Sequence, residues 1–549
     1  MKIALAQLNF HVGNFAANTQ KIITSIEKAQ ADLCELIVFS ELAVCGYPPL
    51  DLLEREAFVQ QCLQQIDVIA SRCQDITAVV GCPSINDQAS GKKLFNSAFV
   101  LSAGKIQSVH HKTLLPNYDV FDEYRYFEPN RHFSLVEVNG KKMALTICED
   151  LWDEQPVANS FAKDKLYTNS PMQELKKLNP DFVVNIAASP FSYNQGHIRH
   201  QIISQKAIKN KLPFVYVNQV GANTELVFDG SSLVVNSKGQ IVNQLNSFKE
   251  DIQYCYLQDV EQDNVLTKVQ AGKMQLICDA LVLGVRDYFS KTGFTKATLG
   301  LSGGLDSAVT LVIAEQALGA QNLRVLLLPS KYSSEHSIKD AEELANNLNV
   351  AYDILPIGDI VDSYEHTLNP LFKGLKPDLT EENIQARIRG SLLMALSNKF
   401  GHILLNTSNK SEAAVGYGTL YGDMNGGLSV LGDVYKTDVF ALARYINRKE
   451  EIIPVNTIVK PPSAELRPDQ KDSDSLPDYE VLDQILFNYI EKNQSQQDII
   501  AAGFDADVVK KAIRMVNLNE YKRFQTAPII RVSSKAFGMG RRIPLVTKF

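Results

Sequence analysis

Between residues 296 and 318 a short apolar run, KATLGL, meets the turn SGGLDS and then a long helix-like stretch, read as a helix over 307–318. No other feature constrains the fold as tightly. A strand that ends in glycines and runs straight into a helix is half of a βαβ unit, and such units build parallel sheets covered on both faces. The order repeats downstream. RVLLLPS (324–330) reads as a second strand, 337–348 as a second helix and HILLNTSN (402–409) as a third strand. The second half is therefore expected to be a doubly wound parallel α/β sheet, Rossmann-like in order. An amphipathic helix over 274–289 precedes it, and the polar stretch 463–480 reads as a long loop.

The first half differs. Seven β-like runs, from IALAQLNF (3–10) to PFVYVNQV (213–220), alternate with helical stretches at 14–30 and 196–209, and SLVVNSKGQIVNQL (232–245) reads as a hairpin turning at Lys238-Gly239. The change of pattern predicts two domains, 1–260 and 276–549, joined by a linker over 261–275. With 549 residues, 45% hydrophobic, there is ample chain for two cores. The formal charge of −7 argues against a general nucleic-acid binder or a polybasic membrane protein, and no run approaches the length of a membrane span. MKIALAQLNFHVGNF reads as a first strand rather than a signal peptide. Eight cysteines, without CxxC pairs, suit free thiols in a reducing cytoplasm.

SGGLDS has a physical reading before it has a name. A helix N-terminus presents unpaired N–H groups and the positive end of a dipole, which suits phosphate. Gly303 and Gly304 let the backbone approach the oxygens, and Ser302 and Ser307 add hydroxyls. Asp306 would repel phosphate unless a cation lies between them, so it is assigned to Mg²⁺. The run is not a Walker A loop, because no Gly-Lys-Ser/Thr follows. It resembles the pyrophosphate-binding loop of the N-type ATP pyrophosphatases, which adenylate an oxygen and let an amine displace AMP. Six further segments choose among them. LLLPSKYSSEHSIKDA, EENIQARIRG, NTSNKSEAAVGYGTLYGDMNGG, DVYKTDVFALA, KPPSAELRPDQKDSDSLPDYEVLD and YKRFQTAPIIRVSSKAFGMGRR resemble, in order, the NAD synthetase domains. That resemblance implies that Gly300, Leu301, Ser302, Gly303, Gly304, Leu305, Asp306 and Ser307, with Thr407, Lys436 and Ser463, bind ATP. It implies that Asn383, Arg387, Glu412 and Lys522 contact deamido-NAD or shape its pocket, and that Asp306 and Glu412 hold Mg²⁺. Taken singly, Arg387, Lys436 and Lys522 would be ordinary surface charges. Leu420 stands where ammonia-only members often carry a Lys, so the glutamine-using branch is the better match.

In the first half, Glu41 (IVFSELAVCGYPP), Lys112 (HHKTLLPNYDVFDEYRYFEP) and Cys148 (LTICEDLWD) each fall at or just beyond the end of a strand-like run. With QVGANTELVFDGSS following, they resemble the Glu-Lys-Cys triad of the nitrilase, or carbon–nitrogen hydrolase, superfamily, whose fold is an α-β-β-α sandwich. The residue types suit amide hydrolysis: a sulfur nucleophile, a carboxylate base and a cation where the oxyanion forms. The resemblance adds Glu123 as a second glutamate beside the triad, and Tyr118 and Ser189 as glutamine contacts. Gln195 stands where a basic residue commonly holds the substrate carboxylate; Arg199, a shifted loop or another arrangement takes that part. Lys2 excludes an N-terminal cysteine nucleophile, and His197 and His200 lack the partners of a Cys-His-Glu glutaminase.

Joined, the resemblances imply ATP-dependent amidation of deamido-NAD to NAD, with ammonia drawn from L-glutamine, Mg²⁺ accompanying ATP, and a cytoplasmic homo-oligomer, dimeric or higher. Ammonia is mostly protonated at neutral pH, so a protected route for it is expected. The alternatives are another amidating ATP pyrophosphatase and a nitrilase-type amidase with a nucleotide-sensing partner domain.

Overall fold

The alternating apolar runs of the first half become two six-stranded sheets. The computed structural model describes residues 1–154, 165–262, 265–266 and 271–548. The chain divides into two compact units, Met1–Gln270 and Ala271–Phe549. Of the expected 261–275 linker, residues 263–264 and 267–270 lie outside the described residues.

In the first unit, strands Lys2–Gln7, Leu36–Val38 and Thr77–Ile85 run parallel. Leu94–Ser102 and Lys105–His111 extend that sheet antiparallel on one side and Asp251–Tyr256 on the other. The second sheet repeats the plan: Lys141–Ile147, Phe182–Ala187 and Phe214–Asn218 are parallel, with antiparallel flanks at Val136–Val138 and at the hairpin Leu233–Val235/Ile241–Gln244. Strand alternation sorts the side chains. Ile3, Leu5, Leu36 and Val38 face Met143, Leu145 and Val183 in a core between the sheets. Ala4, Ala6 and Ile37 face the other way, onto helices Phe15–Ala31 and Glu56–Ala70. Helix Gln195–Asn210 covers the second sheet through Ile203 and Ala207. The result is the α-β-β-α sandwich.

The second unit is a five-stranded, all-parallel sheet in the order Ala351–Ile354, Leu323–Leu327, Ala297–Gly300, Ile403–Asn406, Leu428–Ser429. The chain enters at the central strand, fills one side and then the other. The crevice at the carboxyl end of that strand is a topological switch point, where open α/β sheets bind ligands. Helix Leu305–Leu318 (LDSAVTLVIAEQAL) is apolar nearly all round and buried from Ser307 to Ala314, as a helix enclosed by neighbours must be. Helix Lys273–Thr292 packs on it. A second core, containing Ala414, Leu482, Val509 and Ile529, assembles the C-terminal helices. The stretch 463–480 is not all loop. Asp472–Asp474 form a 3-10 turn and a helix starts at Tyr479, because Asp472 and Leu476 are buried and anchor the segment.

Candidate active sites

Glu41 lies three residues past strand Leu36–Val38, in a segment pressed flat on the neighbouring strand. Gly81 makes this possible: a Cβ there would stand 2.3 Å from the Leu42 nitrogen and 2.5 Å from the Ser40 oxygen. Lys112 follows strand Lys105–His111 and Cys148 follows Lys141–Ile147. Cys148 has φ +43°, a left-handed conformation that L-residues enter at a cost of about 1–3 kcal/mol, and it opens the 3-10 turn Cys148–Leu151.

These strand ends converge. Lys112 Nζ donates to Glu41 Oε1 at 2.7 Å and to both oxygens of Glu123, at 2.8 and 2.7 Å, with Lys112 and Glu41 fully buried. Glu41 Oε2 accepts from the Ala188 N–H at 3.0 Å. Tyr47 Oη donates to Glu123 Oε1 at 2.9 Å. One lysine thus serves two carboxylates. Burial, reinforced by Glu41 and opposed by Lys112, pushes Glu123 up to about 7. Burial, with the charge of Glu41, also pushes the Cys148 thiol well above its ordinary value. A thiol so shifted needs a base to take its proton before it can attack, and the carboxylates whose charges act on it are Glu41, Glu149 and Glu123.

Of the glutamine contacts, Tyr118 Oη donates to Glu149 Oε1 at 2.8 Å, an oxygen that also accepts from Tyr167 at 2.9 Å. The Ser189 N–H donates to Asn218 Oδ1 at 2.8 Å. Gln195 begins helix Gln195–Asn210 and is half-buried. Arg199 is not available to a substrate carboxylate. Its guanidinium is buried and donates to both oxygens of Asp229, at 2.8 and 3.0 Å, which corrects that option. Sequence reasoning also missed Asp150. It accepts from the N–H groups of Thr113, Leu114 and Ile147, and so ties the segment after Lys112 to the segment before Cys148. It was in view within TICED, but nothing in its spacing reveals bonds to residues 36 and 37 positions away.

In the second unit Gly304 caps helix Leu305–Leu318. Gly303 has φ +78° and a Cβ there would meet the Ser337 oxygen at 2.1 Å, so only glycine fits. Ser302 and Ser307 hydroxyls lie 3.2 Å apart within the turn. Asp306 accepts from Asn409 Nδ2 at 2.9 Å and pairs with Lys436, which is buried. Glu412 stands 3.6 Å from the same ammonium, held by a capping box with Asn409. Burial and the charge of Asp306 push Glu412 up to about 8. Asp472, hydrogen-bonded by Tyr417 and Tyr479, adds a nearby carboxylate that the sequence did not single out. Thr407 follows strand Ile403–Asn406 at the carboxyl end of the sheet.

The remaining residues separate. Asn383 accepts from Thr419 Oγ1 at 2.7 Å, Arg387 donates to the Leu420 carbonyl at 3.3 Å, and Lys522 donates to the Gly416 and Gly418 carbonyls at 2.7 and 2.8 Å. These three gather on one loop, residues 416–420. Glu412 stands instead with Asp306 and Lys436. Ser463 is exposed and donates to the Gln470 carbonyl at 2.6 Å.

No group of three or more His, Cys, Asp or Glu side chains is arranged to hold a metal among the described residues. A pair of carboxylates, Asp306 and Glu412, is nonetheless a hard-oxygen donor set of the kind Mg²⁺ takes when phosphate oxygens and water complete its shell. All eight cysteines are buried and unbridged, and among the described residues no helix is long and apolar enough to cross a membrane.

A Glu-Lys cluster with a strand-end cysteine in one unit, and a glycine turn at the switch point of a parallel sheet in the other, define a two-part class of enzyme. Residues 2–263 match the carbon-nitrogen hydrolase family and residues 277–526 the NAD synthase family. The glutamine-dependent NAD(+) synthetases of Synechocystis and of Thermotoga maritima are 46% and 40% identical to this chain, each over 100% of it and 99% of the relative. A structure of glutamine-dependent NAD+ synthetase from Acinetobacter baumannii in complex with ADP superimposes with TM-score 0.78 at 42% identity, covering 99% of this chain and 98% of that one. The chain belongs to the glutamine-dependent NAD(+) synthetases, with a nitrilase-like glutaminase domain followed by an NAD synthase domain.

Proposed function

We propose that Cys148 is the nucleophile of the glutaminase, Glu41 its base and Lys112 its oxyanion partner, with Glu123 sharing the lysine. Glu41 takes the Sγ proton as sulfur attacks the side-chain amide carbon of L-glutamine, and Lys112 faces the oxygen that gains charge. The C–N bond breaks, Glu41 returns the proton to nitrogen, and ammonia leaves behind a glutamyl thioester. Water then gives a proton to Glu41 and attacks the thioester. The C–S bond breaks, sulfur recovers the proton, and glutamate departs. Tyr118, Ser189 and Gln195 line the glutamine site.

At the second site Gly300–Ser307, Thr407, Lys436 and Ser463 bind ATP, while Asn383, Arg387, Glu412 and Lys522 contact deamido-NAD. The nicotinate carboxylate attacks the α-phosphorus and pyrophosphate leaves, its charge met by Lys436 and the turn's N–H groups. Ammonia attacks the adenylated carboxyl carbon, AMP leaves, and the nitrogen sheds a proton to give NAD. Asp306 and Glu412 would hold Mg²⁺, which supplies countercharge to the phosphates. Residues 1–260 and 276–549 are the two catalytic domains and 261–275 the linker. A reducing, cytoplasmic setting suits eight unbridged thiols, and the assembly is a homo-oligomer.

The observation that carries this reading is the buried meeting of Glu41, Lys112 and Glu123 beside a left-handed Cys148. Its test is Cys148→Ala. Glutamine-driven NAD synthesis is expected to vanish while ammonium-driven synthesis survives; equal loss of both refutes the assignment.

A further inference from the structure

Strand Leu94–Ser102 (LFNSAFVLS) is apolar except at Asn96, Ser97 and Ser102, and Asn96, its third residue, is fully buried. A buried amide destabilises a fold unless its groups are satisfied. Asn96 Nδ2 donates to Glu41 Oε1 at 2.7 Å and to Glu123 Oε2 at 3.3 Å. Its backbone carbonyl accepts from the Lys112 N–H at 2.8 Å. One residue therefore touches all three charged members of the cluster. The amide has only one workable orientation, since its oxygen turned toward two carboxylates would be repelled. Oδ1, on the far side, has no hydrogen-bond partner.

The cluster has a problem of assignment. Two carboxylates face one lysine, so a proton placed on either relieves the surplus negative charge. A base must be the one that stays ionised. Glu41 has three donors, Lys112 Nζ, Asn96 Nδ2 and the Ala188 N–H, all at 2.7–3.0 Å. Glu123 has Lys112 on both oxygens and Tyr47, with Asn96 only at the longer distance, so the amide is the donor that leans toward Glu41. The other ionisable groups facing Glu41 are Tyr47, Cys148 and Glu149, and none brings positive charge.

We infer that Asn96 is a positioning residue of the glutaminase: its amide hydrogens hold Glu41 as the ionised base and leave the shared proton to Glu123. The inference rests on the proposed roles of Glu41 and Cys148. Without the amide, Glu41 keeps only Lys112 and the Ala188 N–H, while Glu123 keeps Lys112 on both oxygens and Tyr47, so the bias that reserves Glu41 as base is lost.

The test is Asn96→Ala in the full chain, with glutamate release from L-glutamine followed as a function of pH and ammonium-driven NAD synthesis as the folding control. Expected are a fall in kcat of about 10-fold at neutral pH, KM within about 2-fold, and an acid limb of the kcat profile moved up by about one pH unit. Asn96→Asp adds a third carboxylate and should lose more at neutral pH than Asn96→Ala. A uniform loss at every pH with the limb unmoved, or no loss, overturns the inference. An Asn96→Ala chain that also fails the ammonium assay is replaced by Asn96→Ser, which keeps a small donor and is expected to retain part of the rate and of the limb position; a Ser variant no better than the Ala variant in either also overturns it. If Cys148→Ala still hydrolyses glutamine, it is the proposed function that fails and not this refinement of it.

Discussion

The two sites place charge in opposite ways. In the first unit the side chains of Lys112 and Glu41 are 0% exposed and the acids are neutralised by the protein itself. In the second, Asp306 and Glu412 side chains are 17% and 16% exposed at a crevice, and their cation comes from another strand–helix junction. On the proposed roles the first site takes a neutral amide that brings no charge to the reacting bond, so every charge must be preorganised. On the same roles the second takes polyphosphates, which bring several charges of their own, and its acids can stay partly open for a cation that would arrive with them.

This contrast can be broken by substitution. The largest effect is expected for Asp306→Ala, which should lower NAD synthesis by about 10³-fold with glutamine and with ammonium alike, measured as product formation. A loss confined to glutamine would contradict the division between sites. Lys112→Met leaves two acids buried without their cation and should destabilise the first unit by about 3–5 kcal/mol in urea unfolding, abolishing glutamine use while ammonium use persists in the folded fraction.

A smaller effect concerns pH. Glu412, raised from 4.5 to about 8, keeps a proton in the folded chain that the unfolded chain has lost between those values. The folded state binds more protons there, so stability should fall as pH rises through that window. Glu412→Gln should flatten the fall, read from unfolding midpoints at a series of pH values; an unchanged slope would assign the dependence elsewhere. Smallest is Ser463→Ala, whose exposed hydroxyl reaches only the Gln470 carbonyl; less than about a 2-fold change in KM for ATP is expected. A larger change would show that the loop carries Ser463 to the nucleotide.

Much of this was legible in the chain. The βα order gave the parallel sheet, and SGGLDS marked the turn at its switch point. Glu41, Lys112 and Cys148 stand at the strand ends where the apolar runs stop. What escaped is contact across distance. Arg199 looked free to hold a carboxylate because Asp229, its partner, is thirty residues on. Asn96 passes unmarked within its strand, since its partners lie 55 residues back and 27 ahead. Glu412 was placed both with Asp306 and with Asn383, Arg387 and Lys522; it stands with Asp306, held by a capping box. The 463–480 stretch read as loop because its polar letters outnumber Leu476, the anchor that folds it down.

The encasement of Lys112 has a practical side. An amine kept protonated between two acids and away from water is a poor target for acylating reagents, whereas the exposed lysines react freely. Surface labelling with an amine-directed dye should therefore leave glutamine turnover intact, so the protein can be tagged or immobilised through its lysines without poisoning the sulfur centre.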